Sequence, residues 1–71
     1  MNKFTIGELF TASEIKAAVS LSESCKPGQF NALVVEKVIN PALERINKTT
    51  GQENDPRYLG YLLEYGINNG E

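Results

Sequence analysis

The chain has 71 residues, 41% hydrophobic and 23% charged, with seven Lys+Arg against nine Asp+Glu, a formal net charge of −2 and no histidine. A chain this short is one domain with a thin core, burying only about 60% of the surface its unfolded form exposes. Its composition excludes a disordered chain, and no run approaches the roughly 18 apolar residues of a transmembrane helix.

At the amino terminus, MNKFTIGELF places an acid and a glycine within the only apolar patch, which is not the charged-then-apolar order of a signal peptide. A cytoplasmic location is expected, and the lone Cys25, unable to close an internal disulfide, is consistent with a reducing compartment. Two capping boxes follow, Thr5-x-x-Glu8 and Thr11-x-x-Glu14, each a helix-start signal in which hydroxyl and carboxylate satisfy orphan backbone amides reciprocally. The first predicts a single turn over IGELF that turns Ile6, Leu9 and Phe10 inward, weakened by Gly7. The second predicts a helix over ASEIKAAVSLSE with a narrow inward stripe of Ile15, Ala18, Val19 and Ser22, and Leu21 at its edge.

Phe4 to Phe10, FTIGELF, resembles the opening of MerR-type winged-helix regulators, where such a segment starts the first helix of a DNA-reading unit. The likeness covers seven residues; the turn, recognition helix and arginine-rich wing of that family have no counterpart here, so no DNA contact is carried over.

SESCKPGQ breaks the helical pattern, because Pro27 biases Lys26 away from helical geometry. Cys25 reads there as a passive loop thiol in preference to a redox-sensitive one activated by Lys26. From Gln29, the residues Phe30, Val34, Val38, Ala42 and Ile46 recur every fourth position, widened by Leu33 and Leu43, and predict a long helix to about Lys48. Pro41 lies within it. Either the helix continues with a kink, which the unbroken stripe favours, or it stops near Ile39 and restarts with Asn40 as cap and Pro41 as first residue.

Gly51 can supply a left-handed cap, a polar loop follows, and Asp55-Pro56 starts a last helix expected to end at Tyr65, with Gly66 at C′ and Ile67 folding back. The fold class is thus all-α: a compact bundle of three to four helices, with a short amino-terminal turn and helix, a long Pro-kinked central helix and a capped carboxy-terminal helix. Residues 1–67 form the single domain and 68–71 a frayed tail.

The last helix carries the candidate function. Tyr58, Tyr61 and Tyr65 fall at i, i+3 and i+7 on one side, and Leu59, Leu62, Leu63 and Ile67 on the adjoining side, leaving Arg57, Gly60 and Glu64 for water. Gly60, between the tyrosines, either lets another helix approach closely or merely weakens the turn. A helix apolar over most of its circumference normally packs on two sides. The tyrosines therefore read either as core-boundary residues with solvated hydroxyls or as an interface, for which tyrosine is well suited.

The expected function is a small protein–protein interaction module, acting as regulator, adaptor or inhibitor. Its anchors are Tyr58, Tyr61, Leu62 and Tyr65, its rim charges are Arg57 and Glu64, and its partner is a second copy of the chain or another protein. The alternative is a dimeric DNA-binding regulator presenting Lys37, Arg45 and Lys48. It ranks second because the basic residues are scattered and phosphate recognition rewards clustered positive charge.

No enzyme is expected, and no catalytic, metal or cofactor residue is assigned. Without histidine the commonest general base, metal ligand and partner of a catalytic serine are missing. The glutamates are spaced as caps and surface charges, QENDP lacks the alternating ligands of a calcium loop, and the glycines never group as a phosphate cradle.

Overall fold

The computed structural model describes residues 4–26 and 28–69, and among these the chain is helical with no strand. Its elements in order are α1 (Ile6–Leu9), α2 (Ala12–Ser24), α3 (Phe30–Val34), a π-helical turn (Val35–Ile39), α4 (Asn40–Thr50) and α5 (Pro56–Asn68). Because α3, the π turn and α4 run on without a break, the domain is a four-unit bundle: short α1, α2, one central rod, and α5.

Local chemistry starts the helices where the sequence places them. The Thr5 amide donates to Glu8 Oε1 at 3.0 Å. Around Thr11 the reciprocal box is complete, with the Glu14 amide donating to Thr11 Oγ1 at 3.1 Å and the Thr11 amide to Glu14 Oε1 at 2.8 Å. The rod ends at Gly51, whose φ of 74° is the left-handed conformation that glycine adopts without the Cβ penalty.

The chain stays helical through Pro41, as the continuous-helix reading expects, and no separately capped helix starts there. The rod passes it by opening one π turn just upstream, with the Asn40 amide bonding the Val35 carbonyl five residues back. Two forces favour this. The proline ring crowds the carbonyl of Lys37, which lies inside the widened turn. The apolar spacing also requires it: a period of four against about 3.6 residues per turn drifts roughly 40° per step, so an uninterrupted α-helix would carry Ile46 about 160° around from Phe30. Both are buried. The wider turn takes up part of that drift and brings Ile39 into the core beside Val38.

Phe30, Val34, Val38, Ala42 and Ile46 are all buried, and Leu59 and Leu63 of α5 join them in one apolar cluster completed by Ile6, Leu9, Phe10 and Ala18. Among the described residues no polar or charged side chain is buried. The stripe of α2 is thinner than its pattern: Ala18 alone is fully buried, Ile15, Val19 and Leu21 are half-buried, and Ser22 faces water.

The end of α5 differs from the sequence expectation. The helix runs past Tyr65 to Asn68, and Gly66 is a buried residue of its interior rather than a C′ cap. Packing against α1 explains this, since a Cβ at position 66 would lie 2.7 Å from Ile6 Cδ1 and 2.9 Å from Ile6 Cγ2. Tertiary contact thus overrides the poor helix propensity of glycine. Asn69 caps the end, its backbone and side-chain amides donating to the Tyr65 carbonyl at 3.0 and 2.8 Å. Of the expected tail, residues 70–71 lie outside the described residues.

Candidate functional site

Three attachments set how α5 presents its outer side. At its start, the Asp55 carboxylate accepts from the Arg57 amide at 2.9 Å and Pro56 occupies the first helical position. The incoming loop is tied to the rod: the Asn54 backbone and side-chain amides donate to Asn47 Oδ1, both at 2.9 Å, and the Asn54 side chain also donates to Thr50 Oγ1 at 2.9 Å. In mid-helix, Asn31 of α3 lies flat on Gly60 and donates through Nδ2 to the Arg57 carbonyl at 3.1 Å.

Gly60 is therefore buried rather than solvated as the helical wheel suggests, and a Cβ there would meet Asn31 Nδ2 at 2.7 Å. Asn31 is a positioning residue that helical periodicity does not reveal. The signal for it is the glycine itself, because a glycine inside a helix often marks close approach of another group.

With Leu59, Gly60, Leu63 and Gly66 turned to the core, the opposite side of α5 carries the tyrosines. Tyr58, Tyr61 and Tyr65 are 56%, 62% and 61% exposed, and they are the exposed large hydrophobic residues of the described chain. A tyrosine presents about 150–250 Å² in all, so the three together offer roughly 300–450 Å² on one line. That approaches the largest patch of a typical monomer, a size often associated with function.

Leu62 borders the stripe, half-buried against the core. Arg57 is exposed and only loosely paired, its Nε 3.8 Å from Asp55 Oδ1. Glu64, half-buried, lines a 260 Å³ groove between α5 and the α2–α3 connection together with Cys25, Lys26, Phe30 and Ile67. A second, shallow 360 Å³ groove is formed by Asp55, Arg57, Tyr58 and Tyr61 at the head of the tyrosine line. All six residues singled out in the sequence thus lie on one helix, with the tyrosines outermost and Arg57 and Glu64 along one flank.

Of Lys37, Arg45 and Lys48, the residues a DNA-binding face would present, one is already committed. Arg45 is engaged within the fold: Nη1 donates to Glu14 Oε2 at 2.9 Å, while Nη2 donates to Glu14 Oε1 at 2.7 Å and to the Leu9 carbonyl at 2.8 Å. This fork holds the Glu14 carboxyl below the ordinary glutamate range, against the opposing effect of partial burial. Lys37 and Lys48 stay exposed. Cys25 is half-buried at the end of α2 and packs against the core. No group of His, Cys, Asp or Glu that could hold a metal occurs among the described residues. No described helix is long and apolar enough to cross a membrane.

No family model, curated protein or solved structure matches the chain. Its functional reading therefore rests on the geometry of α5.

Proposed function

We propose that the chain is a protein–protein interaction module that binds through the outer side of α5. Tyr58, Tyr61 and Tyr65 serve as anchors, Leu62 as the apolar border, and Arg57 and Glu64 as rim charges. The observation that carries this reading is the exposure of all three tyrosines, each above half, while the other large apolar side chains among the described residues are packed or half-packed.

Tyrosine suits such a face because the ring supplies apolar contact area while the hydroxyl stays satisfied at a wet rim, and burying one such ring contributes roughly 1.5–3 kcal/mol. By occupying a surface on its partner the module acts as a regulator, adaptor or inhibitor. The test is capture by the tagged chain from host lysate, with nuclease and a high-salt wash, comparing wild type with Tyr61→Glu and checking helicity of both by circular dichroism. A protein held by wild type through both treatments and released by Tyr61→Glu is the expected result. Equal capture by both chains, or capture abolished by nuclease, would overturn the proposal.

A further inference from the structure

Resting on that reading, we infer that the partner is a second copy of this chain, docked antiparallel through α5 about a two-fold axis passing between Tyr61 and Leu62. The apolar positions are symmetric about that point. Tyr58 and Tyr65 lie equally far on either side of it, and Tyr61 and Leu62 flank it directly. An isologous interface needs a surface that matches its own rotated image, and this arrangement provides one: Tyr58 meets the other copy's Tyr65, and Tyr61, which keeps its flank under the rotation, meets the other copy's Tyr61 beside the axis.

The flank charges select the direction. Arg57 and Glu64 sit on the same side of the tyrosine line, about 10 Å apart along the helix at roughly 1.5 Å per residue, too far to pair with each other. The two-fold operation brings each Arg57 to within about 3 Å, measured along the axis, of the other copy's Glu64, and does so twice. A parallel pairing, whose two-fold runs along the helices, would instead carry the charged flank of each copy to opposite sides of the interface and form neither Arg57–Glu64 pair. The loose 3.8 Å contact with Asp55 leaves Arg57 free to make the new pair.

Area places the contact among small, transient interfaces. The tyrosines with Leu62, Arg57, Glu64 and Asn68 amount to roughly 600 Å² per copy, the low end for specific interfaces. The dimer is accordingly one that dissociates on dilution through the micromolar range.

Sedimentation equilibrium from about 10 μM to 1 mM, in low and moderate salt, tests this on the full chain. Wild type should shift from monomer to dimer, and Tyr61→Glu should remain monomeric. Arg57→Glu and Glu64→Arg alone should each weaken the dimer by about tenfold, and the double variant should return to within about threefold of wild type, because it restores an opposite-charge pair on each side of the axis. Circular dichroism confirms that each variant folds. A wild type that stays monomeric throughout, or a dimer indifferent to the single charge reversals, overturns the inference. A monomer that still captures a protein released by Tyr61→Glu overturns the second copy while leaving the binding face in place. Equal capture by Tyr61→Glu overturns the face itself.

Discussion

Ile6 fills the notch left by Gly66, with its Cδ1 and Cγ2 lying 2.7 and 2.9 Å from where a side chain at position 66 would begin. Overpacking a buried contact costs about 1–3 kcal/mol, and replacing a mid-helix glycine by alanine recovers about 1 kcal/mol of helix propensity. Gly66→Ala should therefore be destabilising by about 1 kcal/mol, lowering Tm by roughly 4–8 °C. Ile6→Val removes the nearer of the two methyls, so Gly66→Ala should cost less in that background, as a double-mutant cycle by thermal denaturation would show.

At Gly60 the obstacle is a side chain that can turn away. Gly60→Ala should displace Asn31 and break its bond to the Arg57 carbonyl, a loss of about 1 kcal/mol that the gain in helix propensity nearly offsets. In an Asn31→Ala background only the gain remains, and the same substitution should raise stability by about 1 kcal/mol in urea denaturation. A Gly60→Ala effect of equal size in both backgrounds would show that Asn31 does not rest on this glycine.

The Glu14–Arg45 fork makes the fold sensitive to acid. Glu14 has its folded pKa depressed, first by the Arg45 hydrogen bonds, so its contribution is fully present above the unfolded value of about 4.3 and is lost as pH falls through the lower folded value. Glu14→Gln should remove about 1 kcal/mol at pH 7, since the pair is partly exposed, and should flatten stability against pH below about 4.5. Denaturant midpoints of both proteins across that range check the prediction. A variant whose acid limb matches wild type would disprove it.

Pro41 adjoins the π turn, and the two accounts of that turn can be separated. Since Val38 and Ile39 are both buried, core phase alone should hold the wide turn open once the ring is removed. In Pro41→Ala the Asn40 amide should remain bonded to the Val35 carbonyl, seen as a trans-hydrogen-bond coupling in NMR. Transfer of that amide to the Glu36 carbonyl, four residues back, would assign the turn to the proline.

Features set by neighbours in the chain were legible in the sequence: both capping boxes, the Asp55-Pro56 start, the Gly51 cap and the stripe from Phe30 to Ile46. Each depends on residues within a turn or two of each other, where spacing and side-chain chemistry suffice. Gly66 was not legible, because nothing local distinguishes a C′ glycine from one that receives Ile6; at Gly60 a close approach was one of two readings, but nothing local names Asn31 as the group that makes it. The partner of Arg45 was hidden for the same reason, as any of several glutamates had the same formal qualification.

The strict four-residue period did contain a hint of the π turn, since so long a stripe cannot stay on one face of a regular α-helix. On α5 the line of three tyrosines was plain from spacing alone. Whether it faced the core margin or open water depended on which elements lay against α5, and the fold leaves it outward.

The glycine contacts on α5 have a consequence for recognition. Asn31 grips the helix at one point and Ile6 at another, on different sides, so α5 can neither rotate about its axis nor slide along it without losing one of them. The helix that carries the tyrosines is thus preorganised: the partner proposed above would not have to freeze a wandering helix, a step that adds to the entropic cost of binding. Affinity for that partner should accordingly be weakened by changes at Gly60 and Gly66, residues buried on the far side of the helix that the partner never touches.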